Sequence, residues 1–183
     1  MPKFLLRAFV VVGALALCAG PASAGTQTTT VSVTANVAAA CTALSPATGA
    51  AMTFPTYDAF GNKTLADDAS APAQFTTQCT QGAANVNFSV NGGANCTSSP
   101  ISGFRAMKSG SNYLSYQLYE SAPPGATAWP FITSTCAASA GPTLTITSST
   151  ATQTLTIYGE IPAGQDPAVG SGYTDSVTVS INY

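Results

Sequence analysis

The chain has no histidine among its 183 residues, and only 7% of the residues are charged. Without an imidazole, neither a Ser-His-Asp nor a Cys-His catalytic arrangement can be built, and the commonest metal ligand is missing. The one adjacent acidic pair is Asp67-Asp68. We expect this pair in a solvated loop, because neighbouring side chains of an extended chain point to opposite sides. The sequence therefore predicts a protein that is not an enzyme and that holds no metal or other cofactor.

Long apolar runs are also scarce, and the clearest one lies at the amino terminus. Residues 8–19 are apolar, follow Lys3 and Arg7, and precede the small residues Ala22-Ser23-Ala24. This order is typical of a secretory signal peptide, and the apolar run is too short to span a bilayer as a helix. We predict that residues 1–24 are the signal peptide, cleaved after Ala24. No later run is long enough to span a membrane, so we expect an exported mature chain without a transmembrane segment.

Basic residues are few as well. Loss of Lys3 and Arg7 with the signal peptide leaves three basic residues against seven acidic ones, a net charge of −4. Nucleic acids and anionic membranes are bound by clustered Lys and Arg side chains. The mature chain has no such cluster, and we predict neither partner.

Four cysteines remain after the signal peptide: Cys41, Cys79, Cys96 and Cys136. An even number in an exported protein indicates two disulfides, for which three connectivities are possible. Our choice is Cys41–Cys79 with Cys96–Cys136, which joins sequence neighbours. There is no C-x-x-C spacing and no histidine, so a zinc site is disfavoured.

The segment from Thr26 to Val37 has the pattern of a β-strand with one apolar face. Its apolar residues alternate with Ser, Thr and Asn, a period of two that places one apolar row on one face of a strand. This row is Val31, Val33, Ala35 and Val37. An unpaired strand of this kind must find a sheet, either in its own domain or in a neighbour's.

The rest of the chain reads as short strands separated by Gly- and Pro-containing turns. The turns are Asn91-Gly92-Gly93, Pro123-Pro124-Gly125, Gly141-Pro142 and Gly164-Gln165-Asp166-Pro167, and the strands are Ala73 to Cys79, Asn85 to Val90, Tyr113 to Tyr119, Thr143 to Thr147, Gln153 to Tyr158 and Thr174 to Tyr183. This spacing predicts an all-β fold, an immunoglobulin-like antiparallel β-sandwich over residues 41–183. The apolar faces of the second and last strands should meet in its core, and residues 25–40 form an amino-terminal extension.

Several pieces of the sequence together resemble one known family. They are Arg105-Ala106-Met107, Leu114 to Tyr119, Trp129, Tyr158-Gly159-Glu160-Ile161-Pro162-Ala163-Gly164-Gln165 and Gly172 to Val179, with the amino-terminal valine strand, Cys41 and the segment from Cys79 to Gly82. In this order they resemble the spore coat protein U family, which includes the subunits of archaic, Csu-type chaperone–usher pili. The family usually has a basic residue at the position of Glu160 and Phe-Gly-x-Tyr where this chain has Phe54-Pro55-Thr56-Tyr57.

The resemblance implies an incomplete immunoglobulin-like sandwich whose hydrophobic groove is open. A periplasmic chaperone first fills such a groove with a strand, and at the outer-membrane usher the amino-terminal extension of the next subunit replaces it. By this resemblance Thr26–Val37 is the donor strand, the product is a surface fibre for attachment and biofilm formation, and the neighbouring subunits are the main partners.

Three alternatives remain open at this point. Residues 26–37 could form the first strand of a complete sandwich, or the same domain could serve in a spore or cyst coat. A secreted carbohydrate-binding module is the third alternative. It would need an exposed aromatic row, for which the candidates are Tyr116, Tyr119, Trp129, Tyr158 and Tyr173.

Overall fold

A computed structural model describes residues 25–61, 67–68, 71–170 and 172–183. The chain divides into two units, Met1–Asn36 and Val37–Tyr183, and each is described by itself. In the first unit, residues 25–36 form neither helix nor strand. The predicted signal peptide, residues 1–24, lies outside the described residues.

The second unit is built from antiparallel strands. Its described residues form β1 (Asp67–Asp68), β2 (Ala73–Gln78), β3 (Asn87–Val90), β4 (Arg105–Ser109), β5 (Asn112–Tyr119), β6 (Ser139–Thr143), β7 (Thr152–Ile161) and β8 (Val179–Asn182), with a short 3₁₀ turn at Cys96–Ser98. The first sheet contains β1, β2, β7, β5 and β4, and the second sheet has the order β6-β3-β8. This all-β arrangement in two sheets is consistent with the predicted immunoglobulin-like sandwich.

Strand β7 is the centre of the first sheet. It pairs with β2 from Ala73↔Ile157 to Gln78↔Thr152, and with β5 from Gln117↔Glu160 to Tyr119↔Tyr158. Buried and half-buried residues alternate along its second half, so that Leu155, Ile157 and Ile161 face the interior. The period of two in the sequence thus places alternate side chains of β7 on the buried face of the sheet, as expected.

The core lies between the two sheets. Phe88 and Val90 of β3 pack in one cluster with buried residues of the first sheet and with Trp129, and the main members from that sheet are Phe75, Met107, Leu114, Tyr116, Leu118, Leu155, Ile157 and Ile161. A smaller cluster contains Cys79, Val86 and Ile146. By area, burial of each large apolar side chain contributes about 1.5–3 kcal/mol, so this cluster is the main stabilising contact between the sheets.

Both disulfides are present in the structure. Cys41–Cys79 joins the beginning of the second unit to the residue that follows β2, and Cys96–Cys136 joins the 3₁₀ turn to the loop before β6. These are the pairs chosen from the sequence.

Four predicted strands are confirmed within a few residues, as β2, β3, β5 and β7, and the last is shorter than expected. The strand predicted at Thr143–Thr147 is wrong, because the structure places β6 at Ser139–Thr143 and none at 144–147. No strand was predicted at β4, and the loop expected at Asp67-Asp68 is strand β1, which pairs with the end of β7. Apolar alternation is weak in β1, β4 and β6, so local pattern had little to indicate there. Residues 143–147 alternate as Thr-Leu-Thr-Ile-Thr, which favoured a strand that the tertiary structure does not extend past Thr143.

Gly141-Pro142, predicted as a turn, lies inside β6. Proline is tolerated there because β6 is an edge strand of its sheet. Glycine is required because a Cβ at position 141 would come within 3.0 Å of Trp129 Cζ3 and of the Phe88 carbonyl oxygen. The indole ring therefore packs directly on the backbone of β6.

Substitution Gly141→Ala should destabilise the domain by about 1–3 kcal/mol, the usual cost of overpacking a well-filled site. The measurement is the urea unfolding midpoint of the oxidised protein. Gly170→Ala is the matched control, because the nearest atoms its Cβ would meet are side-chain atoms, Ser109 Oγ at 3.0 Å and Tyr173 Cε2 at 3.3 Å, and no backbone atom. Equal losses of stability for the two variants would contradict the close packing of Trp129 on β6.

Candidate functional site

An apolar cleft opens on one side of the sandwich. It consists of two adjoining cavities of about 230 and 180 Å³. Both are larger than the roughly 150 Å³ that suffices to hold a small apolar ligand in a protein interior. The floor is formed by core residues Phe75, Met107, Tyr116, Leu118 and Ile157, and the two walls are formed by residues 44–54 and 173–179.

The C-terminal wall has an apolar row that is only half covered. From Tyr173 to Ile181, every second residue is half-buried, whereas the residues between them are mostly exposed. These inward-facing residues are Tyr173, Asp175, Val177, Val179 and Ile181. In a complete sandwich such a row would be buried like Phe88 and Val90, which are 2% and 0% exposed. The last strand thus packs against the core as predicted, but its apolar row is covered only in part.

One backbone edge is open as well at β8, the C-terminal end of this row. β8 pairs with β3 along one edge, from Asn87↔Asn182 to Val90↔Val179. β8 ends the order of strands in its sheet, and within the described part of the chain no strand pairs with its other edge. An exposed edge with unpaired N–H and C=O groups is a template for a further strand.

The opposite wall lies against β7 because of a glycine. A Cβ at Gly159 would come within 3.0 Å of Met52 Sδ and Phe54 Cζ. The absence of a side chain at this position lets both residues pack against the sheet, where the Phe54 ring meets Tyr116 edge to face at 6.1 Å. Met52 and Phe54 are themselves only half-buried. Both walls therefore expose apolar surface toward the gap between them.

Asp175 fixes the C-terminal wall by hydrogen bonds. Its Oδ1 accepts from the backbone N–H of Ala94 at 2.8 Å and from Asn95 Nδ2 at 3.1 Å, and its Oδ2 accepts from the Tyr116 hydroxyl at 2.7 Å. Gly93 has φ +79°, and a Cβ there would lie within 3.0 Å of Oδ2. The carboxylate therefore needs glycine at this position of the loop.

Two further polar contacts hold the ends of this region. Asn91 exchanges bonds with Thr178: its backbone N–H donates to the Thr178 carbonyl at 3.0 Å, and its Oδ1 accepts from the Thr178 N–H at 2.8 Å. The Gln165 amide bonds the backbone of Ser115, accepting from N–H at 2.7 Å and donating to C=O at 2.9 Å. Gln165 thereby replaces a missing strand partner for β5.

Arg105 is completely buried beneath this region. Its guanidinium donates to the carbonyls of Asn91 at 2.9 Å, Val90 at 3.3 Å and Trp129 at 3.2 Å, and to the side-chain oxygen of Gln117. The Phe131 ring lies 4.5 Å from the guanidinium carbon. Burial lowers the pKa of Arg105 to about 10, and the nearby Tyr116 and Asp175 oppose this shift.

The predicted donor-strand residues are exposed to solvent in the structure. Val31 and Val33 of the first unit are 82% and 87% exposed, and Ala35 is exposed too. In the second unit, Val37 is 84% exposed. Large apolar side chains are seldom this exposed in a row, so each is available for contact with another surface.

The described residues give little support to a sugar site or a metal site. Trp129 and Tyr116 are buried and cannot belong to an exposed aromatic platform, and Tyr119, Tyr158 and Tyr173 are half-buried.

In the described ranges, no three His, Cys, Asp or Glu side chains are grouped so that they could hold a metal ion. None of the helices there is long and apolar enough to cross a membrane. Asn62-Lys63-Thr64, a match to a glycosylation acceptor pattern, lies outside the described residues.

The residues that form the walls of the cleft were not predicted from the sequence. Val177, Val179 and Ile181 were expected as an apolar face that meets the core, and the resemblance implied an open groove without indicating which residues line it. One signal was available in the sequence. The amino-terminal valine row and the C-terminal apolar row are both strand faces that need an apolar partner, so the two can be partners of each other. Which face stays uncovered is a property of the assembled sheets.

Comparison with known proteins gives one finding. The family model of the Spore Coat Protein U domain matches residues 27–180, which is most of the chain. No curated protein matches the chain significantly. The match includes the valine row, the cleft walls, Asp175 and Arg105.

The Tyr116–Asp175 contact predicts a pH effect on stability. Burial, together with the Asp175 charge and its hydrogen bond, raises the pKa of Tyr116 well above the usual value. The folded chain therefore keeps this proton at a pH where the unfolded chain loses it. The contribution of Tyr116 to stability is complete below about pH 10 and is lost as the pH rises above that value.

Unfolding free energies of the unmodified chain and of Tyr116→Phe, measured in urea on both sides of pH 10, test this effect. Above about pH 10 the unmodified chain should lose stability more steeply than the variant, because only the unmodified chain has a retained phenolic proton at position 116. Arg105, whose lowered pKa acts in the opposite direction, is present in both proteins. Parallel pH curves would show that the Tyr116 hydroxyl titrates alike in the folded and unfolded states.

Proposed function

Because the chain belongs to the Spore Coat Protein U domain family, we propose that it is a structural subunit of a secreted surface fibre of the archaic chaperone–usher type. At family level, membership supports a fibre or coat subunit of pilin type and not an enzyme. The finer proposal is that subunits join by donor-strand exchange. Residues Thr26–Val37 of one subunit fill the apolar cleft of the next.

The observation that carries this proposal is the half-covered row from Tyr173 to Ile181 beside the open edge of β8. A strand that enters here would pair with that edge and cover that row, which is β-augmentation. The chain offers a suitable strand, because Val31, Val33, Ala35 and Val37 share one face and are exposed.

Length and chemistry of the two rows agree. At about 3.3 Å per residue, the donor row from Val31 to Val37 spans roughly 20 Å and the acceptor row from Tyr173 to Ile181 roughly 26 Å. Residues 25–40 contain no charged side chain, so their burial leaves no unpaired charge. Each buried valine contributes about 1.5–3 kcal/mol, in addition to the backbone ladder.

The contact is head to tail and does not close on itself, so it produces a fibre and not a ring of fixed size. In this proposal residues 1–24 direct export, a periplasmic chaperone covers the cleft before assembly, and an outer-membrane usher exchanges the chaperone strand for the donor strand. The fibre serves surface attachment and biofilm formation. The disulfides suit a subunit exposed to an oxidising environment.

A coat layer of spores or cysts is the second candidate, because the family name itself refers to a coat. The same strand exchange could build it. Localisation separates the two candidates: a fibre subunit is found in sheared surface filaments, whereas a coat subunit accumulates in the resting cell.

Val33→Asp should abolish subunit joining, because the carboxylate would have to be buried without a partner in the cleft. The mature chain from Gly25 is co-expressed with its chaperone and assayed for SDS-resistant ladders without boiling. Ser32→Asp is the matched control, since Ser32 lies on the opposite face of the donor strand, and it should form ladders normally. A synthetic peptide of residues 26–37 should suppress the ladders of the unmodified chain.

Normal ladders from Val33→Asp would show that this row is not buried at the junction. A chain starting at Ala38 gives an independent result: it should accept the peptide but form no ladder. If both lengths stay monomeric and stable without any chaperone, and the peptide has no effect, the sandwich is complete and strand exchange is wrong.

A further inference from the structure

The C-terminal wall of the cleft changes sheets along its length. Thr174 pairs with Lys108 of β4 in the first sheet, through bonds of 2.8 and 3.1 Å, whereas Val179–Asn182 pairs with β3 in the second sheet. Residues 175–178 cross between the two sheets. This crossing segment includes Asp175 and Val177, which line the cleft.

Packing alone holds this crossing segment weakly. Its inward side chains are half-buried, its intervening residues Ser176 and Thr178 are exposed, and its cleft side faces the gap. Before a strand enters, the contacts that would normally order such a segment are missing on one side. Hydrogen bonds from the remaining sides must then define its position.

Asp175 supplies most of these bonds from a single side chain. Three donors from two parts of the fold converge on its carboxylate: the Ala94 N–H, the Asn95 amide and the Tyr116 hydroxyl. Hydrogen bonds to a carboxylate are about twice as strong as those between neutral groups. The first two donors belong to the loop that follows β3, and the third belongs to β5, so one carboxylate ties the crossing segment to both sheets.

We propose that the Asp175 carboxylate is a positioning residue that holds the C-terminal wall of the cleft in its strand-accepting arrangement before any strand is bound. This inference rests on the proposed function, because it concerns how the cleft accepts a strand. The bound strand itself touches Val177 and Val179, and Asp175 acts through them. Loss of the carboxylate reduces the fraction of molecules whose wall is ready to accept a strand.

This role has a kinetic signature. If the wall is in its strand-accepting arrangement in only a fraction of the molecules, the observed association rate is proportional to that fraction. The dissociation rate stays the same, because a bound strand holds the wall through its own ladder of hydrogen bonds. A general loss of stability elsewhere in the domain would not produce this separation of the two rates.

The experiment uses the mature chain from Gly25 carrying Val33→Asp, which keeps the cleft but has a defective donor strand. A fluorescent peptide of residues 26–37 is the probe, and its association and dissociation rates are measured by anisotropy. In this background Asp175→Ala should reduce the association rate about tenfold with little change in dissociation. Gly141→Ala, which lowers stability from the far edge strand β6, should leave the association rate unchanged.

A conservative variant and a milder variant complete the test. Asp175→Asn keeps one oxygen for Ala94 and Asn95, and its amide can donate to the Tyr116 hydroxyl, so it should restore most of the association rate. Asn95→Ala removes one of the three donors without altering the cleft lining and should reduce the rate several-fold less than Asp175→Ala. If Asp175→Ala does not fold, the comparison of Asn95→Ala with Gly141→Ala decides.

The outcomes separate this inference from the proposed function. If the peptide fails to bind the Val33→Asp chain with Asp175 intact, the proposed function fails and the role of Asp175 falls with it. If the peptide binds but Asp175→Ala and Asn95→Ala leave the association rate unchanged, only the positioning role is overturned. Equal slowing by Gly141→Ala would also overturn it, because stability alone would then account for the effect.

Discussion

The buried guanidinium of Arg105 is the contact on which the joining of the two sheets depends. A guanidinium presents five N–H donors and is costly to bury unless they are satisfied. Here its acceptors come from the end of β3, from the Trp129 backbone and from Gln117 of β5. Because these groups belong to both sheets and to the loop between them, the arginine can be satisfied only when all three are in place. Its burial therefore couples the two sheets.

Apolar side chains are buried unevenly across the domain. Phe88 and Val90 of β3 are almost completely buried in the core, whereas Val177 and Val179 are half-covered beside the cleft. A compact domain normally covers its apolar faces, since burial is the main favourable term in folding. A row that stays half-covered is therefore a reserve of binding free energy. In the proposed function this reserve is released only when a second subunit supplies the missing strand.

Where packing is incomplete, hydrogen bonds from polar side chains hold the backbone in position. Asp175 and Asn91 fix the C-terminal segment through backbone and side-chain bonds, and Gln165 satisfies the backbone of Ser115 in place of a neighbouring strand. Such bonds are directional and can define a position without a filled core. Glycines at 93 and 159 make room for Asp175 and for the opposite wall. Gly159, Gln165 and Asp175 fall within pieces that resembled the family, whereas Asn91 and Gly93 were named in the sequence only as part of a turn.

The sequence by itself determined the fold class and most strands, because the period of two in β2, β3, β5 and β7 is local. It also determined the apolar row of the amino-terminal segment and the family. It could not identify β4, which contains a buried arginine and an exposed lysine, or β6, whose Gly141 and Pro142 resemble a turn. Only the tertiary structure decided that the C-terminal row is left half-covered and that Asp175 holds it. Alternation indicates which face of a strand is apolar, but the residues that cover that face come from distant parts of the chain.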